Sequence, residues 1–462
     1  MRNGRFQDST AAVPTAGLGG NLPVRFSSAG LRSGHSWWPD RSGNGTFSLM
    51  IRRDNAGVPC SIAVTVGDHG PAEPLVLRGR DRRPVGRVRE GDQAAIDHGC
   101  SEAATSGMGT MIGQAFLARH FETLLSDPSS ASAIYLCGKG VDVPIGLTSA
   151  GRVHDDPAMT LDTPFRVASN TKTFTAATVL RLAEAGKLCL DDAISDHLDR
   201  ATYQCLQSAG FCCERITIRH LLAHSSGLAD HTDDPNYLAA AFEDPSRAWT
   251  RMEQVQIGAS LAKPIGEPGA VYHYSDTGYV LLREVIERVS GRSLAATVRD
   301  ELGFERHGLR ATWWEGAEVP HVDAEPRRRQ FVHGRDVTDL HPSVDAYGGG
   351  GLVVSVRDLG GLTAALFEGR VLRQETTLAE MLAPTGAERD DGYRLGVMAI
   401  CAGGFEVYGH VGYWGTAALY VPALGIALGG FVAERDRRPD LIASMLGFVV
   451  ALGEATDVAC AF

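Results

Sequence analysis

Apolar side chains recur at helical spacing in the stretch that follows Ser169. These positions are Phe174, Ala177, Val179, Leu180 and Ala183. The spacing predicts an α-helix, and Gly186 is placed to end it because glycine readily adopts the left-handed conformation found after a helix. Ser169 would then lie in the first turn, where unpaired backbone N–H groups and the positive end of the helix dipole favour an oxyanion.

Other hydrophobic patterns predict strands at both ends of the region from Gly109 onward and helices between them. Predicted strands are Ser132–Cys137, Pro144–Thr148, Phe405–His410, Ala417–Val421 and Ile426–Val432; predicted helices are Met111–Leu125, a short one capped by Thr217 and ending at Leu222, Trp249–Leu261, Thr277–Ser290 and Leu441–Leu452. These alternations and periodicities are typical of strands and helices respectively. The predicted fold class is α+β, a mainly antiparallel sheet flanked by helices, with a helical insertion.

Residues 1–107 differ in composition from the rest of the chain. They are rich in Gly, Ser, Pro and Arg, with 13 Arg against 10 Asp and Glu, and the first Lys of the chain is Lys139. Thr46–Ile51 and Cys60–Val66 are candidate short strands within them. We interpret residues 1–107 as a weakly ordered extension, or as sequence upstream of a natural start near Met108, and residues 108–462 as one domain.

Composition and charge favour a soluble protein that acts on a small molecule. Hydrophobic residues make up 44% of the chain and charged residues 21%, which is ordinary for a globular protein. The net charge of −11 argues against nucleic acid as the partner, since phosphate binding requires a basic face. No apolar run suits a membrane span or a secretory signal, so we expect no membrane partner and a cytoplasmic location. The nine Cys include no C-x-x-C pair, and neither a metal nor a cofactor is predicted.

Ser169 and Lys172 are the first candidate catalytic residues, because residues three apart share one face of a helix. A Ser hydroxyl becomes a nucleophile once a neighbouring base takes its proton. A Lys amine can act as that base when its surroundings lower its pKa from about 10.4. Taken alone, the pair is more often an N-cap Ser followed by a surface Lys, because a Ser-x-x-Lys match is frequent by chance.

Four further motifs follow in order along the chain. They are Leu221-Leu-Ala-His-Ser-Ser-Gly-Leu228, Pro268-Gly-Ala-Val-Tyr-His-Tyr-Ser-Asp-Thr-Gly-Tyr279, Tyr347-Gly-Gly-Gly-Gly351 and Gly409-His-Val-Gly-Tyr-Trp-Gly415. With the Ser-x-x-Lys pair, they resemble the serine β-lactamase and D-alanyl-D-alanine carboxypeptidase superfamily, in particular its class C-like branch with many esterases and transacylases. The resemblance extends from about Met108 to the C-terminus. It implies a β-lactamase/transpeptidase-like fold for residues 108–462.

The resemblance also implies roles for individual residues. Ser169 would be the acylated nucleophile, and Lys172 would receive or stabilise its proton. Tyr274 matches the Tyr of the superfamily's Tyr-x-Asn element, which relays the proton to the leaving group. His410 and Gly412 match the strand that lines the pocket. The backbone N–H of Tyr413, with that of Ser169, would form the oxyanion hole.

Other residues are expected to have structural roles. His224 is expected to be structural and to hold the turn beneath the site. The four glycines from Gly348 to Gly351 are expected to allow a close backbone approach, since no Lys-Ser/Thr follows them as in a phosphate-binding loop. Trp313 and Trp314 are expected to pack in the core or the pocket wall.

Two residues depart from the superfamily pattern. Asp276 stands where Asn is common, and a carboxylate cannot donate a hydrogen bond to a substrate carbonyl. We expect Asp276 to lie near Lys172 and to hold it as an ammonium, so that Tyr274 would act as a phenolate base. His410 stands where one branch of the superfamily has Lys. A neutral or partly charged His suits an ester, a thioester or an uncharged amide better than a substrate that carries a carboxylate.

The sequence thus predicts a serine acyl-enzyme hydrolase that acts on an ester or a peptide-like amide. A transacylase that passes the acyl group from Ser169 to an amine or alcohol is the first alternative, and the lack of a recognisable signal segment adds weight to it. A binding protein without turnover is the second alternative, against which the intact Ser–Lys–Tyr set argues. The expected partner is a small-molecule acyl substrate, and the sequence leaves the oligomeric state open.

Overall fold

A computed structural model describes residues 46–53, 59–67, 120–122, 124–125, 130–138, 141–148, 158–387 and 392–460. The chain forms two compact units, Met1–Gln93 and Ala94–Phe462. In the first unit, strands β1 (Thr46–Arg53) and β2 (Pro59–Gly67) pair as an antiparallel hairpin. The hairpin contains both short strands predicted there.

Most of the described strands and helices lie in the second unit. Its strands are β3 (Ser132–Gly138), β4 (Val141–Thr148), β5 (Phe165–Arg166), β6 (Thr312–Trp314), β7 (Phe331–Val332), β8 (Arg335–Asp336), β9 (Leu352–Val354), β10 (Met398–Ala402), β11 (Phe405–Gly412), β12 (Thr416–Val421) and β13 (Ile426–Val432). Its helices are α1 (Thr171–Glu184), α2 (Arg200–Ser208), α3 (Ile218–Leu222), α4 (Pro235–Glu243), α5 (Arg251–Leu261), α6 (Asp276–Ser290), α7 (Leu294–Glu301), α8 (Val356–Phe367), α9 (Glu375–Leu382) and α10 (Arg438–Cys460).

The main sheet is antiparallel and joins the two ends of this unit. Its strand order is β10-β11-β12-β13-β3-β4, so the early strand β3 lies beside the late strand β13. The helices α1 to α7 lie between β4 and β9 in the sequence. The predicted α+β arrangement, an antiparallel sheet built from both ends with a helical insertion, is confirmed.

Helices cover both faces of this sheet, as neighbouring glycines in β13 show. A Cβ at Gly429 would lie 2.5 Å from the carbonyl oxygen of Val356 in α8, whereas one at Gly430 would lie 2.7 Å from the sulfur of Met445 in α10. Successive strand residues face opposite sides, so α8 packs on one face and α10 on the other. Glycine lets both helices approach closely.

Helix α1 is central to the fold. Every residue from Thr171 to Leu182 is buried, which is typical of a helix surrounded by other elements. Gly186 has a φ of 67° just after the helix, as the sequence predicted. The structure differs from the prediction at the start of the helix, where Ala168–Asn170 forms a 3₁₀ turn that leads into α1. Ser169 is in that turn.

The helical boundaries follow local capping. Thr217 caps α3 with a reciprocal capping box, as predicted. The helix predicted over Trp249–Leu261 begins at Arg251, because the Thr250 side chain accepts from the backbone N–H of Glu253 and so serves as the N-cap. Helix α6 ends at Gly291, which has a φ of 69°.

The remaining predictions agree with the described part of the chain. The closing helix is longer than predicted and runs over Arg438–Cys460. Within the predicted helix Met111–Leu125, the described residues 120–122 and 124–125 are helical, and the others lie outside the described residues. Trp313 and Trp314 are buried in β6. None of the described helices is long and apolar enough to cross a membrane.

Candidate active site

The turn that carries Ser169 is anchored to the main sheet by Asn170. Its side-chain amide donates to the carbonyl oxygen of His410 at 2.6 Å, and its Oδ1 accepts from the Thr416 hydroxyl at 2.7 Å. Ala168, just before Ser169, has a left-handed φ of 44°, which is uncommon for a residue with a side chain. The turn is therefore held in one conformation at the edge of β11 and β12.

Lys172 lies one turn along and contacts three acceptors. Its Nζ is 2.9 Å from Ser169 Oγ and 2.9 Å from the carbonyl oxygen of Gly349, and it forms an ion pair with Asp276. The Lys172 side chain is fully buried, while that of Asp276 is 16% exposed. An ammonium has three N–H donors and no acceptor, so this environment matches a protonated Lys172. The expected proximity of Asp276 to Lys172 is confirmed.

The glycine run brings the main chain close to this ion pair. A Cβ at Gly349 would lie 3.0 Å from Asp276 Oδ1 and 3.2 Å from Lys172 Nζ. Gly348 and Gly351, on either side, have positive φ values of 108° and 118°. The expected close backbone approach is confirmed, and its target is Lys172. The sequence did not indicate that a backbone carbonyl would hold this lysine.

Tyr274 packs beside Lys172 but does not have the environment of a phenolate. Lys172 Nζ lies 5.0 Å from the centroid of its ring, and its hydroxyl oxygen is buried. Burial raises the pKa of Tyr274 well above its usual value, and the charge of Asp276 raises it further. The direction of this shift favours a phenol at rest over the expected phenolate.

His410 is a neutral side chain with both ring nitrogens engaged. Its Nδ1 lies 2.8 Å from the carbonyl oxygen of Val411, and its Nε2 lies 3.1 Å from the Tyr393 hydroxyl. Burial, followed by the charge of Lys172, lowers the pKa of His410 to about 3. A carbonyl oxygen can only accept, so the single proton of the neutral ring lies on Nδ1, and the Tyr393 hydroxyl donates to Nε2.

Gly412 allows the end of β11 to approach the turn that carries Ser169. A Cβ there would lie 2.1 Å from the carbonyl oxygen of Val167, two residues before Ser169. The next residue, Tyr413, is partly buried, with its ring 4.8 Å from that of Trp414 and the Arg435 guanidinium 4.7 Å above it. The main chain of Tyr413 thus directly follows Gly412, where β11 lies against the Val167 carbonyl.

The predicted site residues meet in one place, with different degrees of contact. Ser169 and Asp276 each contact Lys172, and the Tyr274 ring lies 6.3 Å from the His410 ring, centroid to centroid. The sequence missed Asn170, Gly349 and Tyr393 as partners. Asn170 adjoins the Ser-x-x-Lys motif, but Tyr393 lies outside every motif. Among the described residues, no group of three or more His, Cys, Asp or Glu could hold a metal ion.

Comparison with known proteins places this geometry in a family. A family model described as Beta-lactamase matches residues 117–446 of the 462-residue chain. The chain belongs to the beta-lactamase family. The resemblance to the serine β-lactamase and transpeptidase superfamily is thereby confirmed.

Curated relatives of this beta-lactamase-family protein match over part of their length. It is 32% identical over 141 residues to Penicillin-binding protein 4* of Bacillus subtilis, covering 30% of this chain and 28% of that protein. It is 29% identical over 179 residues to Penicillin-binding protein 4 of Amycolatopsis lactamdurans, covering 38% of this chain and 42% of that protein. The matches thus span less than half of either relative.

Solved structures match over almost their full length. A D-stereospecific amidohydrolase from Streptomyces sp. has a TM-score of 0.58 at 28% identity, with 70% of this chain and 95% of that chain covered. A penicillin binding protein from Bacillus halodurans has a TM-score of 0.57 at 26% identity, with 71% and 98% covered. The predicted β-lactamase/transpeptidase-like fold is confirmed, and these relatives support a serine hydrolase.

Proposed function

We propose that this beta-lactamase-family protein is a serine acyl-enzyme hydrolase that cleaves an ester or an uncharged peptide-like amide. The observation that carries the proposal is the 2.9 Å contact between Lys172 Nζ and Ser169 Oγ at a buried lysine. A nucleophile within hydrogen-bond reach of a group that handles its proton is the signature of covalent catalysis. Such an arrangement also argues against a binding protein without turnover.

In the proposed reaction, Ser169 Oγ attacks the acyl carbonyl carbon and forms an ester bond as the bond to the leaving group breaks. The Ser169 proton passes to Lys172 while Lys172 gives one of its own protons to Asp276. Lys172 thus remains an ammonium, and Asp276 becomes a carboxylic acid. The ion pair between the two side chains supports this relay. Water then attacks the acyl-enzyme. Ser169 Oγ leaves the acyl group and regains its proton from Lys172, in the reverse of the acylation step.

Tyr274 is proposed to protonate the leaving group. Its raised pKa keeps the side chain a phenol around neutral pH, so a proton is present for the leaving group. Its phenol proton goes to the departing oxygen or nitrogen and is replaced by the proton held on Asp276, relayed through Lys172. The proton lost by Ser169 therefore ends on the leaving group, and the side chains return to their starting charges.

The oxyanion is proposed to bind between the backbone N–H groups of Ser169 and Tyr413. The close approach of Gly412 to the carbonyl of Val167 supports this role, because it brings β11 against the nucleophile turn. Each donor in such a hole is worth about 3–4 kcal/mol of transition-state stabilisation. Substitution of Tyr413 would leave its N–H in place, so its side chain is not assigned to the chemistry.

The substrate is proposed to lack a carboxylate beside the scissile bond. His410 is neutral, and neither ring nitrogen is available to donate to a substrate carboxylate. Its one N–H, on Nδ1, donates to the Val411 carbonyl, and Nε2 accepts from the Tyr393 hydroxyl. The charge of Lys172 is balanced by Asp276. An uncharged amide or ester avoids the cost of burying an unmatched carboxylate, and the similarity to a D-stereospecific amidohydrolase supports an amide.

Transfer of the acyl group to an amine or alcohol would use the same acyl-enzyme. The two fates differ only in what attacks it, so analysis of products formed with and without an added alcohol separates them. A free acid as the sole product supports the hydrolase. An acyl ester of the added alcohol as the main product identifies a transacylase.

The nucleophile is tested by replacing it. We expect a fluorophosphonate probe to add one label to the parent protein and none to Ser169→Ala, as measured by intact mass, because only the attacking oxygen is lost. Ser226→Ala is the matched control, since Ser226 is a buried serine in a neighbouring loop, and it should label like the parent. Persistent labelling of Ser169→Ala would exclude Ser169 as the nucleophile.

A further inference from the structure

His224 holds the main chain on both sides of Tyr274. Its carbonyl oxygen accepts from the backbone N–H of His273 at 2.7 Å, and its ring Nδ1 accepts from the backbone N–H of Ser275 at 3.1 Å. The residue between these two donors is Tyr274. One histidine therefore fixes the peptide groups before and after the proposed proton donor.

The His224 ring also packs directly against the phenol. Their centroids are 4.2 Å apart with an interplanar angle of 37°. The rings of Tyr393 and Tyr279 lie 4.6 and 5.1 Å from His224 on other sides, so the imidazole occupies a buried aromatic cluster. With 1% of its surface exposed, His224 has little freedom to move, and neither does the face of Tyr274 that it covers.

The protonation state of His224 suits this contact. A backbone N–H can only donate, so Nδ1 must be unprotonated and the neutral ring carries its proton on Nε2. Burial, reinforced by the charge of Lys172, lowers the pKa of His224 well below its usual value. The ring is therefore a permanent acceptor for Ser275 around neutral pH.

The backbone of His224 is in an uncommon conformation. Its φ of 53° lies in the left-handed region, which costs energy for a residue with a side chain. Its own N–H donates to the carbonyl of Leu221 at the end of α3. The strained residue thus connects a helix end to the segment that bears Tyr274, and such strain persists where the surrounding contacts determine it.

We propose that His224 is a positioning residue that aims the Tyr274 hydroxyl at the leaving group. The inference rests on the proposed function, in which Tyr274 donates that proton. A general acid must lie within about 0.5 Å of its productive position. Two hydrogen bonds and one close ring–ring contact supply that restraint, whereas His224 itself does not touch the reacting atoms.

A role in positioning Tyr274 predicts an effect that depends on the leaving group. A p-nitrophenolate departs without being protonated, whereas an alkoxide requires a proton from Tyr274. We call the contacts of His224 with the Ser275 amide and the Tyr274 ring the clamp. Loss of the clamp should therefore slow cleavage of ethyl butyrate far more than cleavage of p-nitrophenyl butyrate. General damage to the fold or to Ser169 would slow both esters alike.

Three variants separate the contributions of His224. His224→Asn places an acceptor oxygen near the position of Nδ1 and tolerates a positive φ. His224→Gly tolerates the same φ but offers no acceptor and no ring. His224→Leu keeps side-chain bulk without an acceptor. Asn and Gly are thus matched in backbone conformation, and thermal unfolding of each variant reports its folding.

We expect His224→Gly and His224→Leu to lose roughly 100-fold in kcat/KM on ethyl butyrate, the scale of a misplaced catalytic group, because kcat/KM reports acylation and not the later hydrolysis of the butyryl-enzyme that both esters share. Their loss on p-nitrophenyl butyrate should be under about 10-fold, and His224→Asn should recover most of the activity on ethyl butyrate. Equal losses on both esters, or a His224→Gly variant as active as His224→Asn, would overturn the inference.

Amide hydrogen exchange tests the clamp without any substrate. The Ser275 amide should exchange faster in the Gly and Leu variants and stay protected in the Asn variant. The His273 amide is an internal control, because its acceptor is the backbone carbonyl of residue 224 in every variant. Unchanged exchange at Ser275 would also overturn the inference. If the clamp is present but the parent is not acylated at Ser169, the proposed function fails instead.

Discussion

At the scale of single residues, Asp276 changes the character of the site. Its carboxylate pairs with Lys172, whose Nζ also contacts Ser169 Oγ and the Gly349 carbonyl. A lysine that is already an ammonium cannot accept a proton unless it releases one. The charges of Lys172 and Asp276 therefore balance in the resting site, and in the proposed reaction the proton of Ser169 moves by way of Lys172 to Asp276.

Replacing Asp276 should change the pH dependence of the reaction. In the parent, the reactive form requires an ionised Asp276, so activity falls on the acidic side only when that carboxylate is protonated. In Asp276→Asn, the proton of Ser169 can go only to a neutral Lys172. We therefore expect the acidic limb of the kcat/KM profile to move to higher pH, because an amine titrates far above a carboxylate.

The measurement is kcat/KM from about pH 4 to about pH 10, which spans both titrations. Asp300→Asn is the control, since Asp300 forms an exposed ion pair with Arg292, and its limb should stay where the parent has it. The restored carboxamide should also improve amide over ester substrates. An unmoved limb in Asp276→Asn would mean that Asp276 does not accept the proton.

At the scale of secondary-structure elements, the site depends on how closely β11 approaches the turn before α1. Glycine at position 412 makes that distance possible, since a Cβ would lie 2.1 Å from both the Val167 carbonyl oxygen and the Thr416 hydroxyl oxygen. Asn170 then joins the same turn to β11 and β12 through its amide. Strand and turn form one rigid support for the nucleophile and the proposed oxyanion hole.

Gly412→Ala should therefore damage both stability and activity. We expect the free energy of unfolding to fall by about 1–3 kcal/mol, the usual cost of forcing a methyl group into a packed interior. The acylation rate of Ser169 should fall as well, because β11 must move away from the turn. Urea unfolding and stopped-flow acylation measure the two effects.

Gly361→Ala is the matched control for this substitution. Gly361 lies in α8, and a Cβ there would meet nothing within 4 Å. Alanine in a helix is more stable than glycine by about 0.5–1 kcal/mol, so this variant should gain stability and keep its activity. A Gly412→Ala protein as stable and active as the parent would show that β11 does not need its close approach.

At the scale of the whole molecule, a buried neutral histidine makes stability depend on pH. Burial lowers the pKa of His410 from 6.5 to about 3. Below the unfolded pKa, the unfolded chain binds a proton at this side chain that the folded chain does not. Stability rises with pH wherever the unfolded state binds more protons. The contribution of the neutral His410 to the free energy of unfolding is complete above pH 6.5 and is lost as the pH falls from 6.5 toward about 3.

We expect His410→Gln to lose less stability on acidification than the parent over this range. Glutamine can both donate and accept in place of the ring but does not titrate. The measurement is the free energy of unfolding in urea at a series of pH values. His321→Gln serves as the control, because His321 is exposed. Parallel curves for the parent and His410→Gln would contradict the assignment of a buried neutral His410.

The division of the chain into an extension, residues 1–107, and a hydrolase domain, residues 108–462, remains a prediction. The family match covers residues 117–446, and all the site residues described lie between 166 and 435. The assignment of residues 1–107 to an extension and of residues 108–462 to the hydrolase domain rests on composition. The β1–β2 hairpin adds ordered pairing within the first unit.

The sequence by itself determined the superfamily, the fold class and the proximity of Ser169 to Lys172. Ser169 and Lys172 are one helical turn apart, so their contact follows from local geometry. The strands were predictable because their apolar runs are bounded by turn residues. The match of several motifs in one order then connected these local features to a known arrangement.

Only the tertiary structure decided which distant groups complete the site and which protons they hold. The Gly349 carbonyl holds Lys172 across 177 positions of sequence, and a backbone carbonyl has no residue-specific signal. Tyr393 meets His410 through the packing of separate elements. The protonation of Tyr274, His224 and His410 depends on burial and on neighbouring charges. Both are properties of the folded arrangement, because desolvation arises only when distant segments exclude water together.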